Sequence, residues 1–117
     1  MEHETFGLYR RLLFLTVLEA AKNVAKTAER PEGVSERAWN RWEAGESTIP
    51  QPVADNLQQL VNRWRAEVEL VAQRLQNGEV PKVSCNLPED ADVVRRKFRM
   101  SVAAAAAALG AEIVEVV

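Results

Sequence analysis

Apolar residues recur at spacings of three and four from Val53 to Leu75, and neither glycine nor proline interrupts the run. This period predicts an amphipathic helix. Pro50 stands before the first turn, where a missing amide donor does no harm, and Gly78 follows the last turn. A helix of about 25 residues is long enough to leave one small domain and enter a second. The run therefore divides the chain into two regions that share one helix.

Shorter helices are predicted before the long one. The first runs from about Thr5 to Phe14, and Thr16 opens a second that reaches about Lys26, because Thr16 and Glu19 have the spacing of a capping box. A proline, two glutamates and a glycine between Lys26 and Gly33 predict a loop. A third helix then follows.

The third helix is bounded by clear signals. Ser35 is a good N-cap residue, and Gly45 can adopt the left-handed conformation that ends a helix. On a repeat of 3.6 residues, Trp39 and Trp42 share one face with Ala38. We therefore expect both indoles to pack inward and to fix a short helix whose opposite side is exposed.

The end of the chain changes character. Val80 to Leu87 alternates apolar and polar residues and predicts a strand, and Ile113 to Val117 is a second strand candidate. A helix opening at Pro88 should run through the alanines Ala103 to Ala108. The expected fold is mainly α-helical, with an N-terminal helical bundle over residues 1–62 and a small α+β region over residues 63–117.

Composition excludes several classes of protein. The chain has 117 residues, 47% of them hydrophobic, and a net charge of −2, so bulk charge does not indicate nucleic acid binding. Cys85 and His3 are single, which excludes an internal disulfide and a structural zinc site. His3 lies in the first few residues, and no phosphate-binding glycine loop is present, so we expect no enzyme and no cofactor. No membrane span, targeting segment or small-molecule ligand is predicted, and a cytoplasmic protein is expected.

A resemblance to known regulators rests on the first half of the chain. The segments that carry it are Leu15 to Ala21, Val34-Ser35, Trp39, Trp42 to Gly45, and Pro50. They resemble the helix-turn-helix of Cro/CI-like (XRE-type) repressors, a lambda-repressor-like bundle. The overall layout is similar to small anti-CRISPR-associated (Aca-type) repressors and YdiL-like bacterial proteins, on SERAWNRWEAGESTIP, the long helix, LQNGEVPK and MSVAAA.

The resemblance implies a bacterial or phage transcription regulator that binds double-stranded DNA. The third helix would enter the major groove, where the planar guanidinium groups of Arg37 and Arg41 could each bridge the two acceptors of a guanine. Serine and threonine at helix starts, and a glutamine after the third helix, would touch the backbone. The expected DNA contacts are Ser35, Glu36, Arg37, Asn40, Arg41, Thr16 and Gln51.

The family pattern also implies an ion pair, and the chain departs from that pattern in places. Glu43 of the third helix is expected to meet Arg10 of the first. The connection between the second and third helices is longer than the usual three or four residues. Val17 replaces a polar residue that usually contacts phosphate, and Glu46 stands where a cation is common.

Cations are concentrated late in the chain, at Arg95, Arg96, Lys97 and Arg99. They cannot share one face of a helix, so we expect a solvated stretch paired with Glu89, Asp90 and Asp92. The alternative is a second contact with nucleic acid, including RNA.

Two functions remain open from the sequence. Apolar residues after about Arg63, among them Trp64, Val68, Val71 and Leu75, are too few to form a good core alone, which predicts a homodimer. A homodimeric repressor on an inverted-repeat operator is the first interpretation. The alternative is a protein-interaction module, such as an antitoxin-like partner, whose helix-turn-helix scaffold no longer binds DNA.

Overall fold

A computed structural model describes residues 1–115 of the chain, and these form five α-helices and two short strands. The predicted mainly helical fold with a small α+β region is confirmed. In chain order the elements are α1 (His3–Leu12), α2 (Val17–Asn23), α3 (Glu36–Glu43), α4 (Gln51–Gln76), β1 (Lys82–Ser84), α5 (Val93–Leu109) and β2 (Glu112–Val114).

Contacts within the chain group it into two compact units, Met1–Val61 and Asn62–Val117. The long helix α4 begins in the first unit and ends in the second, as the uninterrupted apolar run predicted. Each unit has a hydrophobic core of its own.

Three aromatic rings form the centre of the first unit. The ring centroid of Phe6 lies 4.5 Å from that of Trp39 and 6.3 Å from that of Trp42, and the two indoles are 5.8 Å apart in tilted geometry. Offset and edge-on arrangements of this kind suit the quadrupoles of aromatic rings. Both indoles are buried, which confirms the prediction that α3 is anchored by its tryptophans.

Helix ends follow the predicted signals, with two shifts. Thr16 and Glu19 form the expected capping box at α2. Helix α1 ends at Leu12 rather than Phe14, because Phe14 takes a positive φ of 61°. Helix α2 ends at Asn23 rather than Lys26. The Ala25 amide donates to the Ala20 carbonyl, five residues back, and the Ala21 carbonyl accepts from the Val34 amide, so the regular helical ladder ends there.

The second unit packs α4 and α5 with a parallel pair of strands. Lys82 of β1 is in register with Glu112 of β2. Its core contains Val71, Val83, Val102, Ala103 and Ala106. Side chains of α4 and α5 share this core, while other large apolar residues of the unit remain exposed, so the expected need for a partner stays a prediction.

Element bounds in the second unit are narrower than predicted. Each strand has three residues. Helix α5 starts at Val93 instead of Pro88, because the Asp92 side chain accepts a hydrogen bond from the Arg95 amide and so caps it there. The last two residues of the second predicted strand, Val116 and Val117, lie outside the described residues.

Candidate nucleic-acid interface

Helix α3 is fixed at both ends by local hydrogen bonds. At its start, the Ser35 hydroxyl accepts a hydrogen bond from the Ala38 amide at 3.1 Å. At its end, Gly45 adopts φ of 76°, and the Glu46 amide donates to the Arg41 carbonyl at 2.9 Å. This is the Schellman arrangement, which satisfies carbonyls that the last turn leaves free. An eight-residue helix thus keeps a defined length and direction.

Glu43 connects α3 to α1 through one carboxylate. Its two oxygens accept hydrogen bonds from Arg10, with Nε at 2.7 Å and Nη2 at 3.1 Å. The indole Nε1 of Trp39 donates to the same carboxylate, and Arg10 also donates to the Leu15 carbonyl at 2.9 Å. The predicted pair is confirmed. The two parallel hydrogen bonds make the pair bidentate. The side chains of Arg10 and Glu43 are only 14% and 15% exposed, so the pair is largely shielded from water.

The side of α3 opposite the indoles is exposed to solvent. Arg37, Asn40 and Arg41 line one shallow depression of about 470 Å³, together with Ala44 and Glu46. Two guanidinium groups and an amide therefore stand together on a helix whose other side is locked in the core. These groups can donate hydrogen bonds to acceptors at the edge of a base.

Glu46, which stands where a cation is common in the family pattern, lies beside the cations of α3. Its carboxylate lies 3.9 Å from Arg41 Nε, and both side chains are well exposed, at 66% and 54%. The signal was available in the sequence, because Gly45 at the left-handed position returns the next residue toward the last turn of the helix. The depression consequently carries an acceptor among its donors.

Other expected contacts occupy separate places. Ser35 and Thr16 are exposed N-cap residues whose hydroxyls already accept backbone hydrogen bonds, and Glu36 is exposed in the first turn of α3. Gln51, the first residue of α4, donates to Asp55 at 2.8 Å and lines a different depression, near the N-terminus of α1. The structure therefore brings Arg37, Asn40 and Arg41 together in one depression, and Gln51 lies outside it.

Two arginines of the basic cluster of α5 contact groups other than the acids that were expected to pair with them. Arg99 pairs with Glu67 of α4 at 2.6 Å, and Arg96 donates to the Ala91 carbonyl at 3.0 Å. The Arg99 contact joins two helices across the core of the second unit. Asp92 accepts a hydrogen bond from the Arg95 amide and caps α5.

The residues that the structure describes contain neither a metal cluster nor a membrane-spanning helix. Among residues 1–115, no group of three or more metal-ligating side chains is placed to hold an ion. No helix in that part of the chain has both the length and the apolarity needed to cross a bilayer. Cys85 is a half-buried thiol next to β1.

Comparison with known proteins agrees with the layout of the chain. A family model described as Aca2/YdiL-like matches residues 1–115. A stretch of 83 residues is 31% identical to a protein called Aca2 repressor, from Pectobacterium phage ZF40. That stretch covers 71% of this chain and 66% of the phage protein, so slightly less than two thirds of the relative is matched.

Proposed function

The chain belongs to the Aca2/YdiL-like family, and from that premise we propose that it is a sequence-specific DNA-binding transcriptional repressor. It acts as a homodimer on an inverted-repeat operator, and α3 enters the major groove of each half-site. The similar phage protein carries the name of a repressor, which supports the same class of function.

The observation that carries the proposal is the division of α3 into two faces. Trp39 and Trp42 hold the helix in the core, while Arg37, Asn40 and Arg41 remain exposed on the other side. A short helix presented in this way fits the major groove, whose width is about that of one helix. An arginine that bridges guanine O6 and N7 contributes about 1–3 kcal/mol of discrimination against a wrong base.

Phosphate contacts come from groups without net charge. The exposed cations of α3 are accompanied by Glu36 and Glu46, so this face is not strongly positive. Thr16, Ser35 and Gln51 are exposed polar residues at the starts of three helices, where backbone amides also point outward. Since few charges touch phosphate, affinity should fall with salt less steeply than it does for a strongly basic repressor.

The second unit supplies the homodimer contact. Large apolar side chains remain exposed there although the unit has its own core, and an isolated monomer would leave them in water. These residues are Leu70, Val80, Met100, Leu109 and Ile113. Pairing of two copies through a self-complementary patch would cover them and would set two α3 helices on successive half-sites.

The site is tested with Arg37→Ala and Arg41→Ala, measured by mobility shift on duplex DNA from upstream of the protein's own gene. Each variant should weaken binding about tenfold or more, and the double variant should abolish it. Arg65→Ala, an exposed arginine of α4, is the matched control and should bind as the unchanged protein does. Circular dichroism checks that the variants stay folded. Retained binding by the folded double variant would refute the assignment.

The alternative, a protein-interaction module, predicts a different result with the unchanged protein. A DNA-binding regulator is retained on DNA-cellulose at low salt and elutes early as salt rises, because only the few cations that contact phosphate release counterions. A module that has lost DNA affinity passes through the column. Passage through the column, together with no shift of the upstream duplex, would favour the module over the repressor.

A further inference from the structure

The backbone places Glu46 beside the last turn of α3. Gly45 takes the left-handed conformation, and the amides of Glu46 and Ser47 both approach the Arg41 carbonyl, at 2.9 and 3.3 Å. The position of the Glu46 Cβ is therefore set relative to α3. Its carboxylate lies 3.9 Å from Arg41 Nε at the edge of the depression that Arg37 and Asn40 also line.

A donor and an acceptor at this separation match the major-groove edge of one G·C base pair. Guanine presents two acceptors, N7 and O6, and the paired cytosine presents the N4 amino donor next to them. A guanidinium can occupy the guanine side while a carboxylate accepts from cytosine N4. An A·T pair offers a different order of groups and a methyl group on thymine.

We propose that Arg41 and Glu46 together read a single G·C pair, Arg41 from guanine and Glu46 from cytosine. This inference rests on the proposed function, because it concerns the base contacts of the same helix. The two exposed side chains interact weakly in the free protein, since water screens such a pair. The contact between them can therefore be replaced by contacts with the base pair at little cost in free energy.

Glu46 has a second consequence for binding, through charge. A carboxylate near the DNA surface is repelled by phosphate wherever no amino group is present to compensate it. The residue thus lowers affinity for unrelated DNA while it supports the correct site. Specificity rises from both effects, since discrimination is a difference between two affinities.

The test selects bound duplexes from a pool of random DNA, with the unchanged protein, Arg41→Ala and Glu46→Ala. The unchanged protein should enrich a motif with a G·C pair at which both variants lose their preference by about tenfold. The rest of the motif should survive in Glu46→Ala. Binding of Glu46→Ala to poly(dI-dC) should increase several-fold. Glu69→Ala removes an equal charge from the exposed side of α4 and should leave the motif unchanged.

Each outcome has a definite meaning. If the motif of folded Glu46→Ala equals that of the unchanged protein, or if the two variants relax different positions, the shared reading of one base pair is wrong while the proposed repressor function stands. If the unchanged protein enriches no motif at all, the proposed function fails and the base reading fails with it.

Discussion

At the residue scale, Trp39 and Trp64 differ in whether the indole N–H donates a hydrogen bond. Trp39 Nε1 donates to the Glu43 carboxylate. Trp64 Nε1 is buried in the second unit and, among the described residues, is a buried side-chain donor with no hydrogen-bond partner. A buried donor without a partner destabilises the folded state by about 1–3 kcal/mol. The indole of Trp64 therefore contributes through its packing, against an unfavourable polar term.

Phenylalanine in place of each indole separates these two roles. Trp64→Phe removes the unpaired donor and keeps most of the ring, so the free energy of unfolding should stay within about 1 kcal/mol or rise. Trp39→Phe leaves the Glu43 carboxylate with one fewer hydrogen-bond donor and should lower the free energy of unfolding by about 2 kcal/mol or more. Urea unfolding followed by circular dichroism measures both. A larger loss for Trp64→Phe than for Trp39→Phe would contradict this account of the two indoles.

At the element scale, the long connection between α2 and α3 is an ordered segment rather than a slack insertion. Thr27 and Arg30 exchange two backbone hydrogen bonds of 3.1 Å, which closes a tight turn. Asn56 of α4 donates to the carbonyls of Val24 and Lys26, at 3.0 and 3.2 Å, and so fixes the start of the connection. Its two ends are thus determined, and α3 keeps a defined direction despite the added residues.

The end of this connection depends on Gly33. The residue has φ of 80°, and a Cβ atom there would lie 2.3 Å from the Ala21 carbonyl oxygen, which accepts the Val34 amide at 2.9 Å. Backbone on both sides must move if a side chain is added. The contact explains how a longer connection can still hold the two helices close.

Gly33→Ala should lower the free energy of unfolding by about 3 kcal/mol, from left-handed strain and from overlap with the backbone. Gly45→Ala is the control, because it has a similar φ of 76° but meets only the movable His3 side chain, at 3.0 Å. It should cost about 1–2 kcal/mol. Thermal and urea unfolding provide the comparison. Equal losses would mean that the Ala21 contact does not hold the connection in place.

At the scale of the whole molecule, the second unit is where pairing of two copies is proposed. It buries its own core, yet Leu109 and Ile113 remain exposed on either side of the turn at Gly110. Burial of such side chains in a dimer would stabilise it by about 25 cal/mol per Å² of apolar surface. The same contact would align two DNA-binding units.

Glutamate at both positions should separate the dimer. Leu109→Glu combined with Ile113→Glu brings charges into the apolar contact and should weaken dimerisation by about 2 kcal/mol or more. Sedimentation equilibrium at micromolar concentration should show a dimer for the unchanged protein and a monomer for the double variant. Leu8→Glu, at an exposed leucine of the first unit, is the control and should remain dimeric. A monomeric unchanged protein would exclude the proposed pairing.

Local chemistry was readable from the sequence wherever the deciding contacts are near in the chain. The capping box at Thr16, the left-handed Gly45 and the period of α4 all involve residues within a few positions of each other. The inward face of α3 followed from the same period. By contrast, the end of α2 was misplaced, because the Ala21 carbonyl in its last turn accepts a hydrogen bond from the Val34 amide, which lies beyond the connecting loop.

The periodicity and caps of the sequence therefore determined the order of the helices and the two faces of α3. The pair of Arg10 and Glu43 was expected from the family resemblance. Only the tertiary structure decided that side chains of α4 and α5 share one core and that Arg99 pairs with Glu67. The physical reason is range. Helix periodicity and capping are short-range effects, whereas burial and ion pairing depend on which distant segments meet in space.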